Sequence, residues 1–338
     1  MDERSFEVAA ITGPTASGKT ELVLALAERI PLEVLSCDSR KVFREADIGA
    51  AKPTKAQRER VPFHLLDLVE PTESFSVQQY VSAAYPLVQQ VRKRGNLPLI
   101  EGGSGLYLEA LMRGYDFRCA PPVPELRRAI AEAWHCRGEA FIAALQSAFP
   151  GVTGQIDTHN LPRIVRFIEH KVAGELSVKE AREALGRLGM SQATGAVKEA
   201  RLCAVRVSGA GSPLRSRGYT LVVERSTLAK RIAARTEQML ASGLIEEVEA
   251  LLARGVCPDA QLFSGIGYRE VLLFLQGEVP REDLAELISL RTRRFAKRQD
   301  TWDRNRFPDF QSLPFTTPDE RQKARELLAR ELGEPAES

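Results

Sequence analysis

The sequence predicts an α/β fold: a parallel sheet flanked by helices and interrupted by a mainly helical inset. Three observations carry that prediction. Short apolar runs of strand length end in glycine or aspartate and give way to apolar residues at helical spacing. A stretch near the start, "TGPTASGKT", has the glycine and lysine spacing of a phosphate-binding loop. Between about 116 and 199 strand signals stop and helical patterns dominate, before apolar strand-like runs resume.

Residues 6–11 read as a first strand meeting Thr12-Gly13, after which Leu22, Leu26 and Ile30 keep helical spacing. Residues 32–36 are a second strand, ending at Cys37-Asp38-Ser39. Residues 76–94 form a long helix, "GNLPLIEGGSG" a third strand with a glycine-rich turn, and 107–112 the helix after it. This alternation implies a doubly wound parallel sheet. A proline-rich hinge, "CAPPVPELRRAI", opens the inset. Returning strands are expected at 202–207 and 219–224, joined by the flexible basic loop "SGAGSPLRSRG". Residues 227–240 and 244–253 read as two helices broken at Ser242-Gly243. An amphipathic helix over 283–302 puts Leu284, Ile288, Phe295 and Trp302 on its apolar side. The segment after Pro314 reads as a charged, peripheral tail, with helical character at 320–332. The expected organisation is a discontinuous core (1–115 and 200–314), an inserted helical domain (116–199) and a tail (315–338).

The 338 residues are 43% hydrophobic and 27% charged, an ordinary globular composition with ample chain for a core. Net charge is +2, so a site for a polyanion must come from local clustering. The five cysteines are scattered, odd in number and form no CxxC pair, which argues for a reducing compartment and against disulfide or zinc frameworks. The start is charged and no apolar run reaches membrane-spanning length, so a cytoplasmic protein without membrane association is expected.

In the loop of Gly13, Pro14, Thr15, Ala16, Ser17 and Gly18, the glycines let backbone N–H groups close around phosphate oxygens. Lys19 would neutralise the outer phosphate and the Thr20 hydroxyl would ligate Mg2+. The loop implies a bound diphosphate and is silent about what reacts. Asp38 lies just past a strand's carboxyl end, the edge that faces the ligand crevice in an open α/β sheet. It is either a turn or cap aspartate or a base toward a nucleophile. Ser104 is either an ordinary helix cap or a hydroxyl for a substrate amine or the metal's water, and Glu101 is either an outer-shell carboxylate for Mg2+ or, the favoured reading, a strand-end charge. "RTRRFAKRQDTWDRNR" carries seven basic residues against two acidic ones. That is either a solvated face or a phosphate-backbone contact. Arg163 and Arg166 form a second basic stripe in the inset, and Arg231 and Arg235 share a helix face after Arg225.

Several stretches together resemble the tRNA dimethylallyltransferases, also called tRNA isopentenyl transferases. They are "GPTASGKTEL", "LSCDSRKVFREADIGAAKP", "FHLLDLVEP", "PLIEGGSGLYLEAL", "MLASGLIEEVEALLARG", "IGYREVLLFLQGE" and "AKRQDTW", in the family's order. The resemblance implies a P-loop, kinase-like core with an inset that clamps the anticodon stem-loop of tRNA. It implies transfer of a dimethylallyl group from dimethylallyl diphosphate to the exocyclic amine of the adenosine beside the anticodon, with Mg2+ helping to hold the diphosphate. By position, Asp38 matches the family's general base, with Ser39, Arg40 and Lys41 at adjacent tRNA-contacting positions. Ser104 stands where the family has threonine, keeping the hydroxyl, and Arg225 and Arg231 match arginines near the diphosphate. Arg127, then Pro162, Arg163, Ile164, Val165 and Arg166, match tRNA-touching segments in the inset. So do Ser264, Gly265, Ile266, Gly267, Tyr268 and Arg269, and further on Arg293, Arg294, Lys297 and Arg298. The chain departs from the family pattern at Glu101, where an apolar residue is usual, at Asn160, which replaces an acidic residue, and at Arg294.

A prenyltransferase acting on free adenine nucleotide needs no such clamp, and the inset and basic helix argue against it. A small-molecule kinase would use Asp38 as base toward a hydroxyl, and a nucleotide-gated RNA-binding protein would use only the basic stripes. A monomer is expected, since the tRNA itself completes the assembly.

Overall fold

The computed structural model describes residues 6–115, 124–190 and 213–333. These fall into two compact units, Met1–Tyr115 with Ala210–Ser338, and Asp116–Gly209.

The first unit begins with β1 (Val8–Thr12), α1 (Lys19–Ala27), β2 (Leu32–Cys37), α2 (Lys55–Arg60), β3 (Phe63–His64), α3 (Val77–Lys93), β4 (Leu97–Gly102) and α4 (Gly105–Arg113). In the second unit lie α5 (Pro124–Arg137), α6 (Glu139–Ala148), α7 (Val152–Gln155), α8 (Leu161–His170) and α9 (Val178–Arg187). The first unit resumes with β5 (Ser216–Val222), α10 (Arg225–Ala241), α11 (Leu244–Ala253), α12 (Tyr268–Leu275), α13 (Arg281–Arg306), β6 (Gln311–Pro314) and α14 (Pro318–Gly333).

The sheet runs β3-β2-β4-β1-β5-β6 and every pairing is parallel. Every residue of β1, β2 and β4 is buried, as strands covered by helices on both faces require, which is why they read as apolar runs rather than alternations. Registers of Ile11 with Glu101 and of Cys37 with Gly102 bring the carboxyl ends of β1, β2 and β4 to one edge. Gly102 is obligatory there, since a Cβ would stand 2.0 Å from the Cys37 carbonyl oxygen. The long helix α3 starts at Ser76, whose hydroxyl and Gln79 form a reciprocal cap.

Two expectations change. The strand at 219–224 is instead Ser216–Val222, while the one at 202–207 lies outside the described residues. The segment after Pro314 is not peripheral. Leu313 pairs into the sheet and Phe315 is fully buried, while Ala324, Leu328 and Leu332 of α14 join the core around Ile11, Leu22 and Tyr219. Their spacing of four makes one apolar stripe, diluted in sequence by arginine and glutamate on the other faces.

The second unit has its own core, built on Leu126, Ile130, Phe141, Ile164, Ile168 and Leu185. No helix among the described residues is long and apolar enough to cross a membrane.

Candidate active site

The phosphate loop leaves β1 and enters α1 through backbone that favours glycine, with φ of +135° at Gly13 and +100° at Gly18. A Cβ at Gly18 would meet the Phe315 ring at 3.0 Å, so the loop is shaped against the far end of the chain. Lys19 is buried and folded back, donating to the carbonyls of Gly13 at 2.8 Å and Pro14 at 2.9 Å. Burial lowers its ammonium to about 8, and Glu101 opposes that shift. The Thr20 hydroxyl donates to Glu101 Oε1 at 3.2 Å.

Side chains from α10 and α13 brace this loop. Gln299 Oε1 accepts the Thr15 N–H at 2.8 Å while its Nε2 donates to the Gly103 carbonyl at 2.9 Å, tying the loop to the turn after β4. Thr12 donates to Asp303 at 2.9 Å, and burial raises the Asp303 carboxyl to about 6 against the pull of Thr12 and Lys19. Arg231 donates to the carbonyls of Ser17 and Thr316, each at 3.1 Å. Arg235 reaches Thr15 Oγ1 at 3.5 Å.

Beside the loop lies a cavity of about 280 Å³. Thr15 and Gly103 line its loop end, Asp38, Ser104 and Arg235 supply polar groups, and Ile232, Met239, Ile288 and Phe295 supply apolar wall. Asp38 Oδ1 accepts the N–H groups of Arg40 at 2.8 Å and Lys41 at 3.4 Å, a turn in which the aspartate caps its own chain. Oδ2 makes no hydrogen bond among the described residues, so the carboxylate is a turn former with one oxygen left over. Ser104 makes no helix cap; its Oγ accepts the Ser39 N–H at 3.0 Å and keeps its proton for another partner.

The structure gathers the expected loop residues, Asp38, Ser39, Arg40, Ser104, Ser264, Gly265, Ile266 and Arg298 around this crevice. Arg40 is latched to the Gln261 carbonyl at 2.6 Å and to Ser264 Oγ at 2.9 Å. Arg225 is exposed and lines a separate cavity with Pro14, Arg293 and Lys297. Four expected tRNA contacts are corrected by burial. Lys41 is covered and faces Glu101, with Nζ 3.6 Å from Oε2. Tyr268 is 0% exposed and bonds Glu247 at 2.7 Å, and Ile164 is 0% exposed in the core of the second unit. Gly267 is likewise covered, whereas Arg269 is exposed.

In the second unit Pro162 and Arg163 are exposed and Val165 packs on the core. Arg127 and Arg166 both bond the buried Glu169, at 2.6 and 3.0 Å, and so also hold that unit together. Asn160 caps α8 by accepting the Arg163 N–H, a role that aspartate fills equally well. On α13, Arg293 pairs with Glu286, while Arg294, Lys297 and Arg298 have no ion-pair partner among the described residues. Phe295, expected on the apolar side, is 36% exposed, with the Arg298 guanidinium over its ring.

Sequence reasoning missed Gln299 and Asp303, noted Arg235 only as sharing a helix face with Arg231, and set the metal role of Glu101 below that of a strand-end charge. The only signal for the first two was their place in "AKRQDTWD", one face of a helix otherwise read for its cations.

A family model described as IPP transferase matches residues 41–306. The tRNA dimethylallyltransferase of Roseiflexus castenholzii is 36% identical over 320 residues, covering 94% of this chain and 96% of that one. The tRNA dimethylallyltransferase 1 of Trichlorobacter lovleyi is 38% identical over 299 residues, 88% of this chain and 90% of its own. The crystal structure of the full-length tRNA isopentenylpyrophosphate transferase from Bacillus halodurans covers 96% of each chain, with TM-score 0.66 and 31% identity.

Proposed function

The chain belongs to the IPP transferase family, and from that premise we propose that it is a tRNA dimethylallyltransferase. It moves a dimethylallyl group from dimethylallyl diphosphate to the exocyclic N6 amine of the adenosine 3′ to the anticodon, and releases diphosphate. The observation that carries this reading is the cavity that runs from the phosphate loop to the unused oxygen of Asp38 between apolar walls. A kinase needs no such walls, whereas a five-carbon allylic group does.

The loop N–H groups, Lys19 and Arg231 would grip the diphosphate, with Arg235 beside them, while Arg225 stands in the neighbouring cavity at Pro14. Lys19 must leave the carbonyls of Gly13 and Pro14 to do so. Mg2+ is assigned to the same loop through the Thr20 hydroxyl. The residues fit a divalent cation, since the neighbouring Glu101 carboxylate has a buried oxygen without a hydrogen-bond partner. When bound, the cation would take up negative charge on the departing diphosphate.

The allylic C–O bond breaks with its electron pair going to diphosphate, and the carbon bonds to the amine nitrogen. Asp38 Oδ2 receives the proton that the nitrogen sheds, while Ser104 aligns the amine. Ile232, Met239, Ile288 and Phe295 keep water from the allylic carbon. The base reaches this cavity by turning out of the anticodon loop, which a single-stranded loop permits at modest cost. Arg40, Ser264, Arg269 and the free cations of α13 are assigned to the RNA backbone, as are Pro162, Arg163 and Arg166 of the second unit. A cytoplasmic monomer suits this substrate.

The test is to incubate the chain with unmodified tRNA, labelled dimethylallyl diphosphate and Mg2+, then digest the RNA. Label on an adenosine beside the anticodon supports the reading. Transfer only to free nucleotide, or ATP consumption without prenylation, overturns it.

A further inference from the structure

The carboxyl end of β4 carries a charge that a strand end does not need. Glu101 is 2% exposed, and its Oε1 accepts the Thr20 hydroxyl at 3.2 Å. Its Oε2 is buried with no hydrogen-bond partner among the described residues. Lys41 Nζ stands 3.6 Å from that oxygen, and the two side chains are 9% and 3% exposed. At that separation Lys41 balances the charge without saturating the oxygen. The nearby ammonium offsets the buried charge but does not supply the missing hydrogen bond to that oxygen.

Thr20 supplies the missing part. A hydroxyl that gives its oxygen to a cation must send its proton to an acceptor, and Glu101 Oε1 is the acceptor in place. The oxygen of Thr20 is thereby turned away from its proton, and the second oxygen of the carboxylate is left over beside it. Hard divalent cations take such carboxylate oxygens, directly or through a bound water.

We propose that Glu101 is this chain's own carboxylate for the divalent cation of the phosphate loop. Oε1 orients Thr20 as a ligand, and Oε2 receives the cation or one of its waters. Lys41 is the placeholder charge that balances Glu101 while the cation is away. The proposal rests on the diphosphate reading of the loop, and deepens it by giving two residues opposite effects on the same cation.

The experiment measures Mn2+ binding to the intact chain by electron paramagnetic resonance, with inorganic diphosphate as the anion and neither prenyl donor nor tRNA present. Absence of prenyl transfer by the unaltered chain in the tRNA assay, with its Mn2+ binding intact, would count against the proposed function alone. Glu101→Gln should weaken Mn2+ on the order of 10- to 100-fold, as loss of a supporting ligand does. Lys41→Gln removes a neighbouring positive charge and should tighten Mn2+ severalfold. The double variant K41Q/E101Q leaves no orphaned buried charge, and should bind Mn2+ as weakly as E101Q. Should the single Glu101 variant fail to fold, as judged by its melting curve, the comparison of K41Q with the double variant decides. Unchanged Mn2+ affinity in E101Q, weakening by K41Q, or recovery of wild-type affinity in the double variant would each make the pair an ordinary buried ion pair and overturn the proposal.

Discussion

Asp38 divides its labour between its two oxygens, and that division can be tested atom by atom. Asparagine keeps an acceptor for the N–H groups of Arg40 and Lys41 but has no basic oxygen. Asp38→Asn should therefore lower single-turnover prenyl transfer by about 10²- to 10⁴-fold with little change in tRNA affinity. Near-normal turnover would remove Asp38 from the chemistry. Asp303 makes a prediction of opposite character. Its carboxyl holds a proton to about 6 in the folded protein, against an ordinary value of 3.8, because burial disfavours the charge. Between those values the folded state binds more protons than the unfolded one, so this group's contribution to stability falls as pH rises through the window. The full cost is about 3 kcal/mol at most. Asp303→Asn removes the titration, so the melting temperature of the wild type should drop relative to that variant between about pH 4 and pH 6.5. Parallel curves would show that Asp303 is not the group responsible.

At the scale of elements, α13 works on two faces. One carries Gln299 and Asp303 against the phosphate loop, and the other presents Arg294, Lys297 and Arg298 without ion-pair partners among the described residues. Replacing any of those three with alanine should reduce the slope of log tRNA affinity against log salt by about one. Arg293 and Arg304, already paired with Glu286 and Asp300, should change it less. An unaltered slope for all three would make that face merely solvated. The last helix makes a stability prediction. Leu328 is fully buried, so Leu328→Ala should cost about 2–5 kcal/mol in urea unfolding. A genuinely peripheral tail would show almost no change.

Across the whole molecule, the features legible in the sequence were those that depend on local order. β1, β2 and β4 announce themselves as apolar runs because both their faces are covered, and the phosphate loop as glycines at fixed spacing. Features that depend on distant partners were hidden. Lys41 reads as a surface cation until Glu101, sixty residues on, takes it inside, and Tyr268 reads as a substrate contact until Glu247 claims its hydroxyl. Gln299 and Asp303 are polar residues on a polar helix, and only the packing of that helix decides which of them turn inward. The stripe Ala324, Leu328 and Leu332 was obscured by the charges around it. The topology also bears on how the protein is made. β1 emerges from the ribosome well before its neighbours β4 and the far later β5, and its loop is moulded on Phe315 and held from Gln299, Asp303 and Arg231. Such long-range closure is slow, and it cannot begin before its partners exist. The phosphate loop, translated before the residues that shape it, thus becomes functional only after them, and a half-made chain has no finished grip on diphosphate while it is still attached to the tRNA-laden ribosome.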